Sequence, residues 1–272
     1  MSCPEQRRLV NALKAKKAFV SPLVEQALLH IPRESFASWL SLKEAYADEA
    51  FANPIATKDN PSTLSQPSAV ARFLEGFALE PGMSVLEIGA GTGYQAALIA
   101  HIVGEAGRVV SVDIFEPLVE QARETIKTLN IQNVEIVHAD GALGYPAAAP
   151  FERIMATVGL REFPWTWVEQ LTSEGCIVAP LHLGGESQQH VLVRMKREGE
   201  GLRGRGLDSL DMVTFRGSSV SAEEKVVRGE AWQGGYANRL KVSILPKSEG
   251  LEPSSTQKLI HRSESTILVE AV

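Results

Sequence analysis

The chain has 272 residues, 44% hydrophobic, 22% charged and 6% aromatic, so it can bury roughly three-quarters of its unfolded surface and needs neither disulfide nor metal staples. A disordered chain is excluded. Lys+Arg 27 against Asp+Glu 33 gives a net charge of −6, and the one locally basic stretch, 194–205, is broken by Glu198 and Glu200, which argues against a nucleic-acid partner. Cys3 and Cys176 form neither a CxxC pair nor a metal-ligand spacing with the six histidines, and no run approaches the ~20 apolar residues of a membrane span. The expectation is a cytoplasmic protein with reduced thiols, no resident metal and no membrane partner. The sequence carries no signal of oligomeric state.

In chain order, the spacing of apolar residues predicts helices over 6–18, 22–30 and 40–52, followed by a polar, proline-bearing loop over 53–61. Pro67 then opens a helix through Phe77, because proline is tolerated in a first turn whose amides lack intrahelical partners. Short apolar runs at 84–88, 109–113, 134–139, 153–157 and 176–180 alternate with amphipathic stretches, the pattern of a parallel sheet flanked by helices. Between the second and third runs, Leu118, Ala122, Ile126 and Leu129 recur at spacings of four, four and three and form one helical face. The segments 190–196 and 210–215 read as late antiparallel strands joined by a glycine-rich connector, 198–206. Past residue 217 the texture becomes Ser- and Gly-punctuated, with strands at 240–245 and 266–269. The organisation is thus a domain over 1–216, its N-terminal helices (1–60) covering the substrate side, and a small β-rich extension over 217–272.

The sharpest motif is Val85-Leu86-Glu87-Ile88-Gly89-Ala90-Gly91-Thr92-Gly93-Tyr94, a strand running into a glycine loop and then a helix. A dinucleotide site needs G-x-G-x-x-G to seat a pyrophosphate. Here the third glycine comes one residue early, at Gly93, and Glu87 precedes the first by two. That spacing suits S-adenosylmethionine, whose amino-acid part carries no phosphate, and so a Rossmann-like methyltransferase with a seven-stranded, mainly parallel sheet and helices on both faces. Asp113 ends the second strand twenty residues past Gly93, where a carboxylate can accept hydrogen bonds from a ribose diol. Asp140-Gly141 closes the third strand, within reach of an adenine edge. Each acid also has a purely structural reading, Asp113 as a helix N-cap and Asp140 as an Asp-Gly turn.

Methyl transfer from a sulfonium is an in-line displacement that needs alignment and exclusion of water. A carboxylate acceptor is already ionised at pH 7 and needs no general base. Pro61-Ser62-Thr63-Leu64-Ser65-Gln66-Pro67 offers hydroxyls, an amide and backbone N–H groups suited to orienting one, although Ser65 or Thr63 also reads as a cap for the helix at Pro67.

Ile31-Pro32-Arg33-Glu34-Ser35-Phe36, Thr63 to Pro67, Val85 to Gln95 and Asp140-Gly141, in that order, resemble the protein-L-isoaspartate O-methyltransferase family over about residues 5–216. The glycine loop is shared by many methyltransferases; the Thr63 to Pro67 segment is far more specific. The resemblance implies methylation of the exposed carboxylate of L-isoaspartyl residues in damaged proteins or peptides, giving an ester that closes to succinimide and reopens partly to aspartate. The by-product is S-adenosyl-L-homocysteine. It also implies catalytic roles for Ser65 and Thr63, a substrate contact at Gln66, and a cofactor pocket lined by Glu87, Gly89, Gly91, Gly93, Asp113, Asp140 and Gly141. Three segments depart from the family's usual pattern: Ala56 to Pro61, Thr157 to Pro164 and Val213 to Arg216. They border the expected peptide cleft and keep open an acceptor that is a normal aspartate in a dedicated peptide; a third reading is a cofactor-fold binding module without turnover that recruits a partner through 217–272. Trp165 and Trp167 read as packing, His101 as a surface or satisfied histidine, and Arg161 and Arg216 as salt-bridge partners.

Overall fold

The computed structural model describes residues 2–161, 163–182, 190–199, 201–210, 225–227, 240–246, 257–261 and 265–271. The chain folds as two compact units, Met1–Ala139 and Asp140–Val272. No helix among the described residues is long and apolar enough to cross a membrane.

The first unit begins with α1 (Pro4–Ala15), α2 (Pro22–His30), a 3-10 turn (Arg33–Phe36) and α3 (Leu42–Ala45). Two short strands follow, β1 (Phe51–Ala52) and β2 (Thr63–Leu64), then α4 (Pro67–Phe77), β3 (Ser84–Ile88), α5 (Tyr94–Val103), β4 (Arg108–Asp113), α6 (Glu116–Thr128) and β5 (Val134–His138). Strands β3 and β5 both pair in parallel with β4. Val109, Val110, Ser111 and Val112 are all buried in succession. Successive side chains point to opposite faces of a strand, so both faces of β4 are covered, as a parallel sheet requires. Helix α6 buries Leu118, Val119, Ala122 and Ile126, the predicted face.

Two predicted helices are shorter than their periodicity suggests. The first stops at Ala15, because Lys17 turns to a positive φ of 56° and directs Ala18 into the core. The span 40–52 is helical only over Leu42–Ala45, opened by a reciprocal capping box between Ser41 and Glu44. Beyond it, the Asp48 side chain accepts the Ser68 N–H at 2.9 Å and binds Lys16 at 2.8 Å. Phe51–Ala52 pairs antiparallel with Thr63–Leu64. Bonds to distant residues outweigh local helix propensity here.

In the second unit, β6 (Phe151–Ala156) precedes α7 (Thr166–Glu169) and the long β7 (Leu171–Leu181), which runs parallel to β6. Antiparallel β8 (His190–Glu198) and β9 (Gly201–Leu210) follow. Strands β3 to β9 are the seven strands expected, parallel within the β3–β5 and β6–β7 sets. The chain then adds β10 (Lys225–Val227), β11 (Leu240–Pro246), β12 (Gln257–His261) and β13 (Ser265–Ala271), in the order β9-β11-β13-β12-β10, all antiparallel. The predicted connector at 198–206 is for the most part β9 itself. Its glycines belong there because neighbouring strands come close: a Cβ on Gly204 would stand 2.0 Å from the Arg194 carbonyl oxygen, and one on Gly201 2.7 Å from that of Ile244. Of the predicted strand 210–215 only Leu210 is described; Glu162 and the Val213 to Arg216 motif, with Arg216, also lie outside the described residues.

Candidate active site

At the end of β3 the backbone leaves the strand through Gly89, Gly91 and Gly93, with φ of 98°, 52° and 84°. A side chain at these positions is strained, so glycine is what the turn demands. The amides of Gly89 and Ala90 both donate to the Val112 carbonyl, at 2.8 and 3.0 Å, which pins the loop to β4. Asp113 completes it: Oδ2 accepts the Gly91 N–H at 2.9 Å and Oδ1 accepts the Phe115 N–H at 3.0 Å. Each oxygen keeps a further acceptor site, which fits a vicinal diol. Burial raises the Asp113 carboxyl above its ordinary value, opposed by the amides of Gly91, Phe115 and Ile114 and by His138. The N-cap of α6 is Phe115, with no side-chain cap bond. Asp113 therefore stands two residues ahead of the cap and bridges loop to helix.

Glu87 is wholly buried in β3. Its Oε2 accepts the Ser111 hydroxyl at 2.5 Å, while Oε1 has no partner among the described residues. Burial pushes its carboxyl up to about 8, with Ser111 opposing and Asp113 reinforcing the shift. An acceptor oxygen left open beside a glycine loop suits a cationic ammonium, the group that a methionine-derived cofactor presents.

Thr63 lies in β2, half-buried; Ser65, two residues on, is half-buried in the turn before α4; Gln66 is exposed at the N-cap of that helix. Gln66 makes no side-chain cap bond and instead donates from Nε2 to the Asp48 carbonyl at 3.0 Å. Among the described residues the Ser65 and Thr63 hydroxyls have no hydrogen-bond partner, so neither serves as a cap. The backbone around them is fixed from outside: the Ser65 carbonyl accepts Arg33 Nη2 at 2.7 Å, and the Asn53 N–H donates to the Ser62 carbonyl at 2.9 Å. Although burial works to raise it, bonds from Lys16 and Ser68 hold the Asp48 carboxyl below its ordinary value.

Glu87, Gly89, Gly91, Gly93 and Asp113 are brought together in the first unit. Asp140 and Gly141 open the second. There Asp140 Oδ1 accepts the Ala142 N–H at 2.9 Å, the Asp-Gly turn seen in the sequence. The Gly141 carbonyl accepts Trp167 Nε1 at 2.8 Å, and Trp167 is buried edge-on against Phe163, which makes it packing. The residue passed over in the sequence is Arg33. Its signal was available, an arginine between Ile31-Pro32 and Phe36, both ends of which are buried, but a lone arginine reads as surface.

The model of the family described as protein-L-isoaspartate(D-aspartate) O-methyltransferase matches residues 4–215. The chain belongs to that family. Among curated members, the Thermotoga maritima protein-L-isoaspartate O-methyltransferase is 39% identical over 67% of this chain, which spans 58% of that relative's length. An Archaeoglobus fulgidus member is 33% identical, covering 78% of this chain and 93% of its own, and a Klebsiella pneumoniae member is 37% identical over 76% and 92%. A solved protein-L-isoaspartate O-methyltransferase superposes with a TM-score of 0.72 at 27% identity, covering 98% of this chain and 88% of that one. A Plasmodium falciparum protein crystallised with S-adenosyl-L-homocysteine superposes at 0.65 with 20% identity, over 78% and 98%, a likeness of fold. The Rossmann-like methyltransferase fold read from the glycine loop is the fold of this family.

Proposed function

We propose that the protein is an S-adenosylmethionine-dependent carboxyl methyltransferase that esterifies L-isoaspartyl residues of damaged proteins and so starts their repair. The observation that carries it is the Asp113–Gly91 bond, which closes a glycine loop of G-x-G-x-G spacing in a chain of this family. Gly89, Gly91 and Gly93 leave room for a nucleoside against the backbone, Asp113 takes its ribose diol and Glu87 its ammonium, with Asp140 and Gly141 assigned to the adenine. The bound cofactor supplies an electrophilic methyl on a sulfonium. Ser65 and Thr63 orient the acceptor carboxylate through their hydroxyls and take no proton from it, because at neutral pH it has none to give. Gln66 is assigned to the flanking peptide. Two unpaired cysteines, one buried and one half-buried, support a cytoplasmic site of action.

The test is incorporation of base-labile label from methyl-labelled S-adenosylmethionine into matched isoaspartyl and aspartyl peptides. Label in the isoaspartyl peptide alone is expected, with Ser65→Ala lowering kcat about ten- to a hundredfold and leaving S-adenosylhomocysteine affinity within about twofold. Label in the aspartyl peptide alone would move the acceptor to a dedicated substrate. Cofactor binding without label in either would make the chain a binding module.

A further inference from the structure

We propose that Arg33 is a positioning residue, which sets the Ser65 hydroxyl against the glycine loop; the proposal rests on the reading of Ser65 above. Its guanidinium is wholly buried and is held by three segments at once. Nε donates to the Ala45 carbonyl at 2.8 Å, at the end of α3. Nη2 donates to the Ser65 carbonyl at 2.7 Å. Cζ lies 5.1 Å from the centre of the Tyr94 ring, and Tyr94 directly follows Gly93 as the first residue of α5. One planar side chain therefore ties the acceptor turn to the helix that the glycine loop opens.

Packing alone does not ask for an arginine here. None of these three partners is a carboxylate, and Nη1 has no hydrogen-bond partner among the described residues. Burying a cation is costly even though the Asp48 carboxylate favours its charge, and a well-packed apolar group of similar volume commonly replaces buried charged groups without loss of stability. What an apolar residue lacks is the fork, two donors at a fixed angle that reach Ala45 and Ser65 together. A lysine offers a single compact point charge and cannot span both carbonyls. The phenol of Tyr94 is itself pushed up to about 12 by burial, against the opposing pull of the Arg33 guanidinium beside it, so it stays neutral while it supports the cation.

Because the bond runs to the Ser65 backbone, loss of Arg33 leaves the hydroxyl in place chemically but releases its position. That distinguishes positioning from general stabilisation in a double-mutant cycle. Initial rates of isoaspartyl-peptide methylation are measured for the full chain, Arg33→Lys, Ser65→Ala and the double variant, with S-adenosylhomocysteine affinity measured by calorimetry on each. Arg33→Lys is expected to lower kcat about tenfold, to leave S-adenosylhomocysteine affinity within about twofold, and to cost less than about twofold when made in Ser65→Ala. Additive losses would overturn the proposal while leaving Ser65 in its role, and so would a loss confined to cofactor affinity. An unchanged kcat in Ser65→Ala would overturn the reading of Ser65 itself, and the proposal with it. Should Arg33→Lys not accumulate as folded protein, Tyr94→Leu removes the guanidinium's support and is expected to lower kcat several-fold, again only when Ser65 is present; an unchanged kcat would count against the proposal.

Discussion

The turn between β3 and α5 and the turn between β2 and α4 belong to the same unit, and each has its backbone held by a distant side chain, but they differ in what they leave free. In the first, side chains hold the backbone: the Asp113 carboxylate takes two amides, and three glycines at positive φ leave no side chain in the way. In the second, a side chain likewise holds the backbone, and two hydroxyls are left over. Arg33 takes the Ser65 carbonyl, while the Ser65 and Thr63 hydroxyls have no partner among the described residues. The difference fits the two tasks proposed above. A cofactor that returns every cycle is best met by a prearranged cradle, whereas an acceptor carboxylate brings its own charge and needs donors not already engaged.

The largest expected effect lies under the first turn. The Glu87 carboxyl is raised to about 8 by burial, so the folded protein keeps that proton while the unfolded chain releases it above about pH 4.5. Between those values the folded state binds more protons, and stability therefore falls as pH rises from about 4.5 to 8 and levels off above. Urea unfolding of the ligand-free protein at pH 5 and pH 8 is expected to show a loss on the order of a few kcal/mol that Glu87→Gln removes, since glutamine still accepts the Ser111 hydroxyl. The same pH dependence in both proteins would break the assignment of a neutral Glu87. Next in size, Asp113→Ala is expected to weaken S-adenosylhomocysteine about 30-fold by calorimetry, about 2 kcal/mol, because the Gly91 amide, the Phe115 amide and, in the proposed site, the diol lose a charged acceptor together. Ser65→Ala provides the contrast, acting on kcat and sparing the cofactor.

The first turn was legible in the sequence because its determinants form one recognisable pattern. Glycine spacing, the buried strand before it and the acid that ends the next strand, β4, fall where a strand-loop-helix-strand unit puts them, and α4 and α6 follow from proline placement and apolar period alone. The second turn was legible only as a motif. Its hydroxyls could be named, but what holds them comes from residues 18 to 32 positions away: Arg33 on Ser65, and Asp48 on Gln66 and Ser68. The same cause shortened the predicted helix over 40–52, since Asp48 is taken up by Lys16 and Ser68. In the second unit the glycines of β9 misled for a related reason. They read as a connector, yet serve the close approach of Arg194 and Ile244 from the neighbouring strands. Burial of Glu87 and Arg33 is likewise a property of the packed chain, which no spacing rule reports.

The smallest expected effect falls on Gln66, and it sharpens the contrast within the acceptor turn. Gln66 is exposed, and its amide already donates to the Asp48 carbonyl at 3.0 Å. A solvent-facing hydrogen bond of this kind nets under about 1 kcal/mol, so Gln66→Ala is expected to raise KM for an isoaspartyl peptide about two- to threefold and leave kcat unchanged. The split follows from the proposed roles: Ser65 is assigned to the reacting carboxylate, whereas Gln66 at the start of α4 is assigned to the flanking peptide. Initial-rate measurements over a range of peptide concentrations read both numbers. A fall in kcat for Gln66→Ala comparable to that for Ser65→Ala would mean that the Asp48 and Arg33 bonds act as one clamp, and that releasing either end lets the hydroxyl move.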